Sequence, residues 1–352
     1  MAQQKTYWHL LQQRRMPSEY EIVTSKLHCY TGEGFTGKRF ELDVPLSQWY
    51  KQYQESSPLT CSAWEKFYDP RQTTYTKYTE LQRAKEIFVD GLLEEIEATG
   101  YDKTLSATWV QILARTVAPF RYPGHGLQMI AAYVGQMGPS GRITITGAMQ
   151  AADEMRRVQR IAYRVRQLQL TYPGFAADSK ALWQDDPLWQ PLREAVEKLL
   201  IAYDWGESFI GLNLVLKPLA DELFMKHLGD LARQEGDYML GQIFYSLNED
   251  CQWHRQWSQA LVKTAIEDTP SNKGVIQGWI NKWYPIAARA VHAFAPVFEE
   301  MPEQGKTLQF KDVAQQLERY YGEYLGAVGL QRPSSLHSGS LPDHSQDRPG
   351  PT

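Results

Sequence analysis

From about Thr76 to Met301 this chain of 352 residues reads as helix almost without interruption, which restricts it to folds in which helices bury one another. Ala151, Glu154, Val158, Ile161, Val165 and Leu168 recur at three- and four-residue steps, the spacing of one stripe on a helix of 3.6 residues per turn, while Arg156, Arg160, Arg164 and Gln167 fall on other faces. A second stripe runs through Leu240, Phe244, Leu247, Cys251, His254, Leu261 and Ala265. Between them, Phe209 to Leu231 is apolar over most of its circumference and belongs in the middle of a bundle. Pro218 inside it predicts a kink or break, because proline lacks an N–H and its ring crowds the preceding turn. Breaks are expected at Pro123-Gly124, Gly138-Pro139-Ser140-Gly141, Tyr172-Pro173-Gly174 and Thr269-Pro270-Ser271. No alternating β-branched run argues for a sheet.

Residues 1–75 read as an extended N-terminal arm with short helices and turn signals such as Thr31-Gly32-Glu33-Gly34. Leu46 to Tyr53, followed by Ser57-Pro58-Leu59, sets aromatics along a segment too short to form its own core, so they pack on another surface, of this chain or of a partner. The helical core is placed at 76–301, a C-terminal helix from about Leu308 to Tyr324 within 302–332, and a disordered tail rich in Ser, Pro, Asp and His at 333–352. A net charge of −4 carries no bias towards nucleic acid or an anionic membrane surface. Cys29, Cys61 and Cys251 form neither a disulfide framework nor a C-x-x-C knuckle, which fits a reducing cytoplasm. The first residues lack the apolar core of a signal peptide, and no apolar run reaches membrane-spanning length. Aromatics make 12% of the chain, a content that suits an extended interface and also a large helical core.

The chemistry-bearing residues lie on the two stripes. Asp153-Glu154-Met155-Arg156-Arg157 and Asp250-Cys251-Gln252-Trp253-His254 each match half of a D-E-x-R-H iron-ligand pattern. The first keeps the carboxylate and has Arg157 at the imidazole position; the second keeps the imidazole and has Cys251 at the carboxylate position. A carboxylate-bridged diiron centre in a helical bundle takes a Glu and an E-x-x-H pair from each half. Neither pair is complete here.

Several local matches, in this order, carry a resemblance over most of residues 7 to 295. They are Pro17-Ser18-Glu19-Tyr20-Glu21-Ile22-Val23 with Lys26-Leu27-His28, Leu46 to Tyr53 with Ser57-Pro58-Leu59, Leu170-Thr171-Tyr172-Pro173, Asp204-Trp205-Gly206-Glu207 with Leu212-Asn213-Leu214-Val215, and Trp257-Ser258 with Ala260-Leu261-Val262-Lys263. The chain resembles the β subunit of the hydroxylase component of soluble bacterial multicomponent monooxygenases, nearest the toluene and alkene branch. The resemblance implies an all-α, ferritin-like bundle. It also implies assembly with α and γ subunits into an (αβγ)₂ hydroxylase whose diiron centre lies in α. Such a complex inserts one atom of O₂ into a small alkene or aromatic hydrocarbon. Its electrons come from NADH through a reductase and a Rieske ferredoxin, and a small regulatory protein tunes it.

Laid on the catalytic α subunit's pattern, Gly236-Asp237-Tyr238 with Asp250 and His254 resembles the second ligand helix. Lys217, 34 residues before Cys251, then falls where the preceding helix would supply a Glu, and an ammonium there repels iron. The first ligand helix would start near Tyr122 to Gln128, a stretch without Glu. Of the six expected ligands Glu154 and His254 remain. Glu154, Arg157, Lys217, Cys251 and His254 are therefore vestigial ligand positions, with no catalytic, cofactor-binding or metal-binding residue assigned. Glu154 is expected to pair with Arg157, since a buried charge needs a partner. His254 is read as a hydrogen-bonded core histidine, and Cys251 with His254 as at most half of a zinc site. The series Arg156, Arg157, Arg160, Arg164, Arg166 is read as a solvated or subunit-facing side of its helix. Gly138 to Gly141 lacks the G-K-[ST] ending of a phosphate loop, and no nucleophile elbow frames any Ser. The function expected is that of a non-catalytic structural subunit, without cofactor of its own, in a monooxygenase complex. The alternatives are a stand-alone metalloprotein using Glu154 and His254, or a plain helical interaction protein.

Overall fold

The computed structural model describes residues 15–24, 45–299 and 309–334, and among these it contains helices, turns and loops but no strand. Short polar side chains start the principal helices where the stripes begin. Thr74 accepts from Lys77 N–H at the head of α3 (Tyr75–Thr99), Ser106 from Trp109 at α4 (Ala107–Thr116), and Ser140 from Ile143 at α6 (Gly141–Thr171). Asp237 does the same for Leu240 at α12 (Tyr238–Asp268). Each cap occupies one of the N–H groups that a first helical turn leaves without a partner.

Two helical hairpins form the core. In the first, α5 (Arg121–Met137) runs antiparallel to α6 after a turn at Gly138 to Ser140. Their axes come close because Gly135 faces Gly147: a Cβ on Gly147 would lie 2.5 Å from the Gly135 Cα. In the second, a buried rod over residues 205–234 turns back into α12. The rod comprises α9 (Trp205–Phe209), α10 (Lys217–Asp221) and α11 (Leu228–Gln234), joined by the i→i+5 segments Ile210–Leu216 and Glu222–His227. Every residue from 208 to 225 is buried, as the all-round apolar pattern required. The crossover between hairpins carries α7 (Ser179–Asp185) and α8 (Gln190–Leu200), and α13 (Asn272–His292), α14 (Ala295–Glu299) and α15 (Phe310–Gly326) follow α12. Two hairpins joined by one long crossover is the ferritin-like arrangement.

Breaks fall at Gly138–Ser140, after Thr171 and at Thr269–Ser271, as expected, but not at Pro123-Gly124. Pro123 sits in the first turn of α5, where its missing N–H has no helical acceptor to disappoint, and Gly124 lets α5 approach Val158, whose Cγ2 would stand 2.9 Å from an added Cβ. Pro218 does not break the rod either. It occupies the second position of α10, and the wider i→i+5 turns on both sides relieve the ring's crowding of the preceding backbone.

The arginine face of α6 is corrected as well. Arg156, Arg160, Arg164 and Gln167 are buried, and of the series only Arg166 is exposed. The reason is α3, which lies over this face and brings carboxylates. Arg156 bonds Glu86 at 2.6 Å, Arg160 bonds Glu86 and Asp90, and Arg164 holds Asp102 just beyond α3 at 2.9 Å. A periodicity argument assigns charges to solvent; here opposite charges on a second helix supply the partners that burial demands.

The described arm residues pack on this chain. In α2 (Pro45–Tyr50), Trp49 donates to the Tyr133 hydroxyl at 3.0 Å and stacks edge-on against Tyr203, and Ser57 donates to Asp204 at 2.9 Å. Leu59 and Phe67 enter the core, and Asp69 accepts from Trp253 at 2.9 Å. In α1 (Glu19–Thr24), Glu21 pairs with Arg15 and accepts from the Tyr68 hydroxyl at 2.8 Å. The motif Lys26-Leu27-His28, the turn at Thr31 to Gly34, Cys29, Leu308 and the tail from 335 onwards lie outside the described residues.

The Gly135–Gly147 crossing separates two effects of the same substitution. Gly147→Ala is expected to destabilise the protein by about 1–3 kcal/mol, because the methyl meets backbone that cannot move aside. Gly91→Ala, in α3 with nothing within 4 Å, is expected to stabilise it by about 0.5–1 kcal/mol. Chemical denaturation of the two variants beside the unaltered protein checks the opposite signs.

Candidate metal centre

The five residues singled out on three separate helices converge in the core. Glu154 and Arg157 come from α6, Lys217 from α10, and Cys251 and His254 from α12, and none is more than 2% exposed. α6 and the rod run parallel and α12 antiparallel to both, so equal steps along the three helices produce polar rungs. On the first, Asn213 exchanges hydrogen bonds with Gln150 and donates to Ser258 at 3.0 Å. On the second, the Lys217 ammonium donates to Glu154, with His254 Nδ1 3.8 Å from the same Glu154 oxygen. On the third, Arg157 donates to Asp221 at 2.8 Å and to Cys251 Sγ at 2.6 Å. Lys217 also reaches Asp221 Oδ2 at 3.0 Å, and Arg157 lies 3.3 Å from Glu154, which closes a ring of two carboxylates and two cations.

The expected Glu154–Arg157 pair is present, but it is the longer of Glu154's contacts, and Lys217 is the nearer cation. Asp221 was not foreseen. Its only sequence signal is its position one turn after Lys217 inside an otherwise apolar run. Asp153, which in the sequence is only the start of the D-E-x-R-H match with no role assigned, meets His254 Nε2 at 3.0 Å and accepts from the Tyr78 hydroxyl at 2.7 Å and from Gln82 at 2.8 Å. Asp250 is bound by Arg156 at 2.7 Å and Lys85 at 2.5 Å, tying α12 to α6 and α3. His254 is thus hydrogen-bonded as expected, through Nε2, with Nδ1 turned into the ring and no hydrogen-bond partner for it. An imidazole held by a carboxylate on one nitrogen while the other faces a ligand set is how metal-bound histidines are oriented.

The charge states follow from burial and pairing. Burial opposes ionisation of Asp221, but Lys217 and Arg157 outweigh it and hold its carboxyl below the usual range. Burial likewise works against the Lys217 ammonium, and Asp221 and Glu154 keep it charged. Burial pushes the Cys251 thiol up to about 12 despite the adjacent Arg157, and it pushes His254, with help from Lys217, well below the usual imidazole range. Burial, with the nearby Asp250, raises the Asp153 carboxyl well above the usual carboxylate range. The ring therefore balances: two anions, two cations, a neutral thiol and a neutral imidazole.

A bridged pair of irons does not fit this set. The ammonium and guanidinium stand among the carboxylates where the positive charge of metal ions would be, and α5, the remaining ligand-bearing helix position, contains neither Asp nor Glu. Two carboxylates and one imidazole cannot bridge and saturate two metals.

The family described as Methane/Phenol/Alkene Hydroxylase matches residues 49–269. Subunit beta of the hydroxylase component of the toluene-4-monooxygenase system of Ectopseudomonas mendocina is 41% identical over 292 residues, 82% of this chain and 89% of that protein. The hydroxylase component small subunit of propane 2-monooxygenase from Gordonia sp. (strain TY-5) is 25% identical, over 81% of this chain and 78% of that protein. Among solved structures, a chain of toluene 4-monooxygenase with toluene in its resting active site superposes with a TM-score of 0.78 at 40% identity, covering 84% of this chain and 98% of that one.

Charge balance in the ring predicts a non-additive pair of variants. Lys217→Met leaves an uncompensated buried carboxylate and is expected to cost about 3–5 kcal/mol, whereas Lys217→Met/Glu154→Gln removes one charge of each sign and recovers most of that loss. Denaturant titrations of single and double variants decide it; simple additivity would contradict the paired reading. A buried thiol titrating near 12 is also a poor nucleophile, so Cys251 should resist alkylation at neutral pH until the protein unfolds. Site mapping by mass spectrometry before and after denaturation reads that difference.

Proposed function

Because this chain belongs to the methane/phenol/alkene hydroxylase family, we propose that it is the non-catalytic, structural β subunit of a soluble diiron monooxygenase hydroxylase. The observation that supports this reading is that the cations Lys217 and Arg157, at positions that resemble the ligand pattern of a catalytic subunit, pair with the buried carboxylates Glu154 and Asp221. The diiron centre that activates O₂ then belongs to a partner α subunit, and this chain contributes no catalytic, cofactor-binding or metal-binding residue. Its identity to a subunit of a toluene-oxidising enzyme supports a small aromatic hydrocarbon or an alkene as the substrate of the whole complex.

The role left for this chain is mechanical. A ring of short, mutually satisfied charge contacts ties α6, α10 and α12 together, and the α3 carboxylates clamp the outer face of α6. Rigid helices of this kind support a neighbouring subunit's ligand helices and hold them in productive geometry. The assembly is read as (αβγ)₂, located in the cytoplasm, and served by a reductase, a Rieske ferredoxin and a small regulatory protein. No helix among the described residues is long and apolar enough to cross a membrane.

Production of this chain alone and together with its α and γ partners tests the proposal. The chain alone should contain no stoichiometric iron, and the co-produced material should form a heterohexamer with iron in proportion to α. About two irons in the isolated chain, lost on Glu154→Ala or His254→Ala, would make it an oxygenase in its own right. A stable iron-free monomer that ignores both partners would leave a plain helical interaction protein.

A further inference from the structure

The buried ring brings the side chains of a candidate ligand set together around an imidazole nitrogen that has no hydrogen-bond partner. Glu154 Oε2, Asp221 Oδ2 and His254 Nδ1 are each buried without a hydrogen-bond donor, although the first two have ion contacts with Arg157 and Lys217. Cys251 Sγ completes the group, and ligand atoms of Asp221, Cys251 and His254 all lie within 4.8 Å of one another. Ligand atoms of three side chains gathered this closely, around a buried imidazole nitrogen that has no hydrogen-bond partner, outline a space that a cation can share.

We propose that this cluster is a closed single-zinc site, in which Asp221, Cys251 and His254 with Glu154 form the ligand set and Lys217 is the plug that keeps the ion out. The inference rests on the non-catalytic reading given above. One carboxylate pair, one thiol and one imidazole suit a single tetrahedral ion, and the thiol favours zinc over a hard, carboxylate-bridged iron pair. Ligand atoms around zinc stand roughly 3.4–3.8 Å apart at bond lengths of about 2.0–2.3 Å, so the ring must contract by about 1 Å once the ammonium has gone. Asp153 already orients the imidazole with Nδ1 facing the volume. Arg157 keeps its bond to Asp221 Oδ1 and leaves Oδ2 for the ion.

Charge explains why one residue is enough to close the site. In the present ring Glu154 and Asp221 are balanced by Lys217 and Arg157. Without the Lys217 charge, one Zn²⁺ enters, the Cys251 thiol loses its proton to solvent as the Zn–S bond forms, and three anions face Arg157 and the ion with the sum again zero. With Lys217 in place the same ion would leave a buried charge of +1, which the core cannot accommodate.

The experiment uses the full chain produced with its partner subunits, as the unaltered form and as Lys217→Met, with Zn²⁺ for metal content and Co²⁺ as a spectroscopic probe. Lys217→Met should take up one further zinc per chain, and its Co²⁺ form should gain a sulfur-to-metal charge-transfer absorption that disappears in Lys217→Met/Cys251→Ala. The unaltered protein should show neither. Lys217→Met/Glu154→Gln, in which Asp221 and Arg157 still balance, guards against a folding failure and should take up no zinc, because the ion would again leave a buried charge of +1. Lys217→Met that folds without extra zinc or fails to fold in zinc-supplied medium, zinc that survives loss of Cys251, zinc in Lys217→Met/Glu154→Gln, or the same zinc in the unaltered protein would each overturn the proposal. Iron in the isolated unaltered chain would instead overturn the non-catalytic assignment, so the two failures are told apart by the metal and by the variant that carries it.

Discussion

A carboxylate withdrawn from water destabilises a fold by more than a single helix contact returns unless a cation stands beside it. Glu154 and Asp221 sit in the middle of this bundle, on different helices, and both are buried. Lys217 and Arg157 answer them in an alternating order, so that each cation touches both anions. Pairing in this ring sets the register of α6 against the buried rod, and a shift of either by a turn would separate charges from their partners. α12 is tied to the same register by uncharged groups, through Cys251 on Arg157 and through the rung of Gln150, Asn213 and Ser258 one turn away.

The same rule extends outwards in layers. Asp153 and Asp250 flank the ring and are met by Tyr78, Gln82 and Lys85 from α3, while Arg156, Arg160 and Arg164 are met by Glu86, Asp90 and Asp102. Only three residues of α3, Val89, Leu93 and Ile96, are buried, a narrow stripe for a helix of 25 residues. Its position therefore depends on ion pairing with α6 to a degree that the core helices do not share. The glycines at 124, 135 and 147 serve the opposite need, bringing α5 against α6 where no polar group intervenes.

The mismatch between this centre and a pair of irons lies in its side chains and not in its helices. The helices that would carry ligands are in place, the imidazole is oriented, and its supporting carboxylate is retained. One cation, Lys217, stands where the ligand pattern would have a carboxylate, and the other, Arg157, where it would have an imidazole. A lysine and an arginine supply without metal the positive charge that the remaining carboxylates require, and a thiol stands where a third carboxylate would have demanded more.

Much of this was legible in the residues alone. Helical periodicity located the core and its two polar stripes, all-round apolarity marked the rod as central, and Glu154, Arg157, Lys217, Cys251 and His254 were singled out as one set, because those readings depend on residue type and local spacing. Other features depended on which helix lies across which. Arg156, Arg160 and Arg164 read as solvated or subunit-facing because a periodicity argument cannot see α3 arriving with carboxylates. Pro123 read as a break because local chemistry does not know that it falls in a first turn, and Pro218, read as a kink or break, sits between widened turns. Asp221 and Asp153 joined the site only when the chain was folded, since 64 residues separate Arg157 from Asp221 and 101 separate Asp153 from His254. Sequence by itself determined the helices, the buried faces and the chemical types available at the centre. Tertiary structure decided the pairing, because the free energy of a buried charge is set by its neighbours in space.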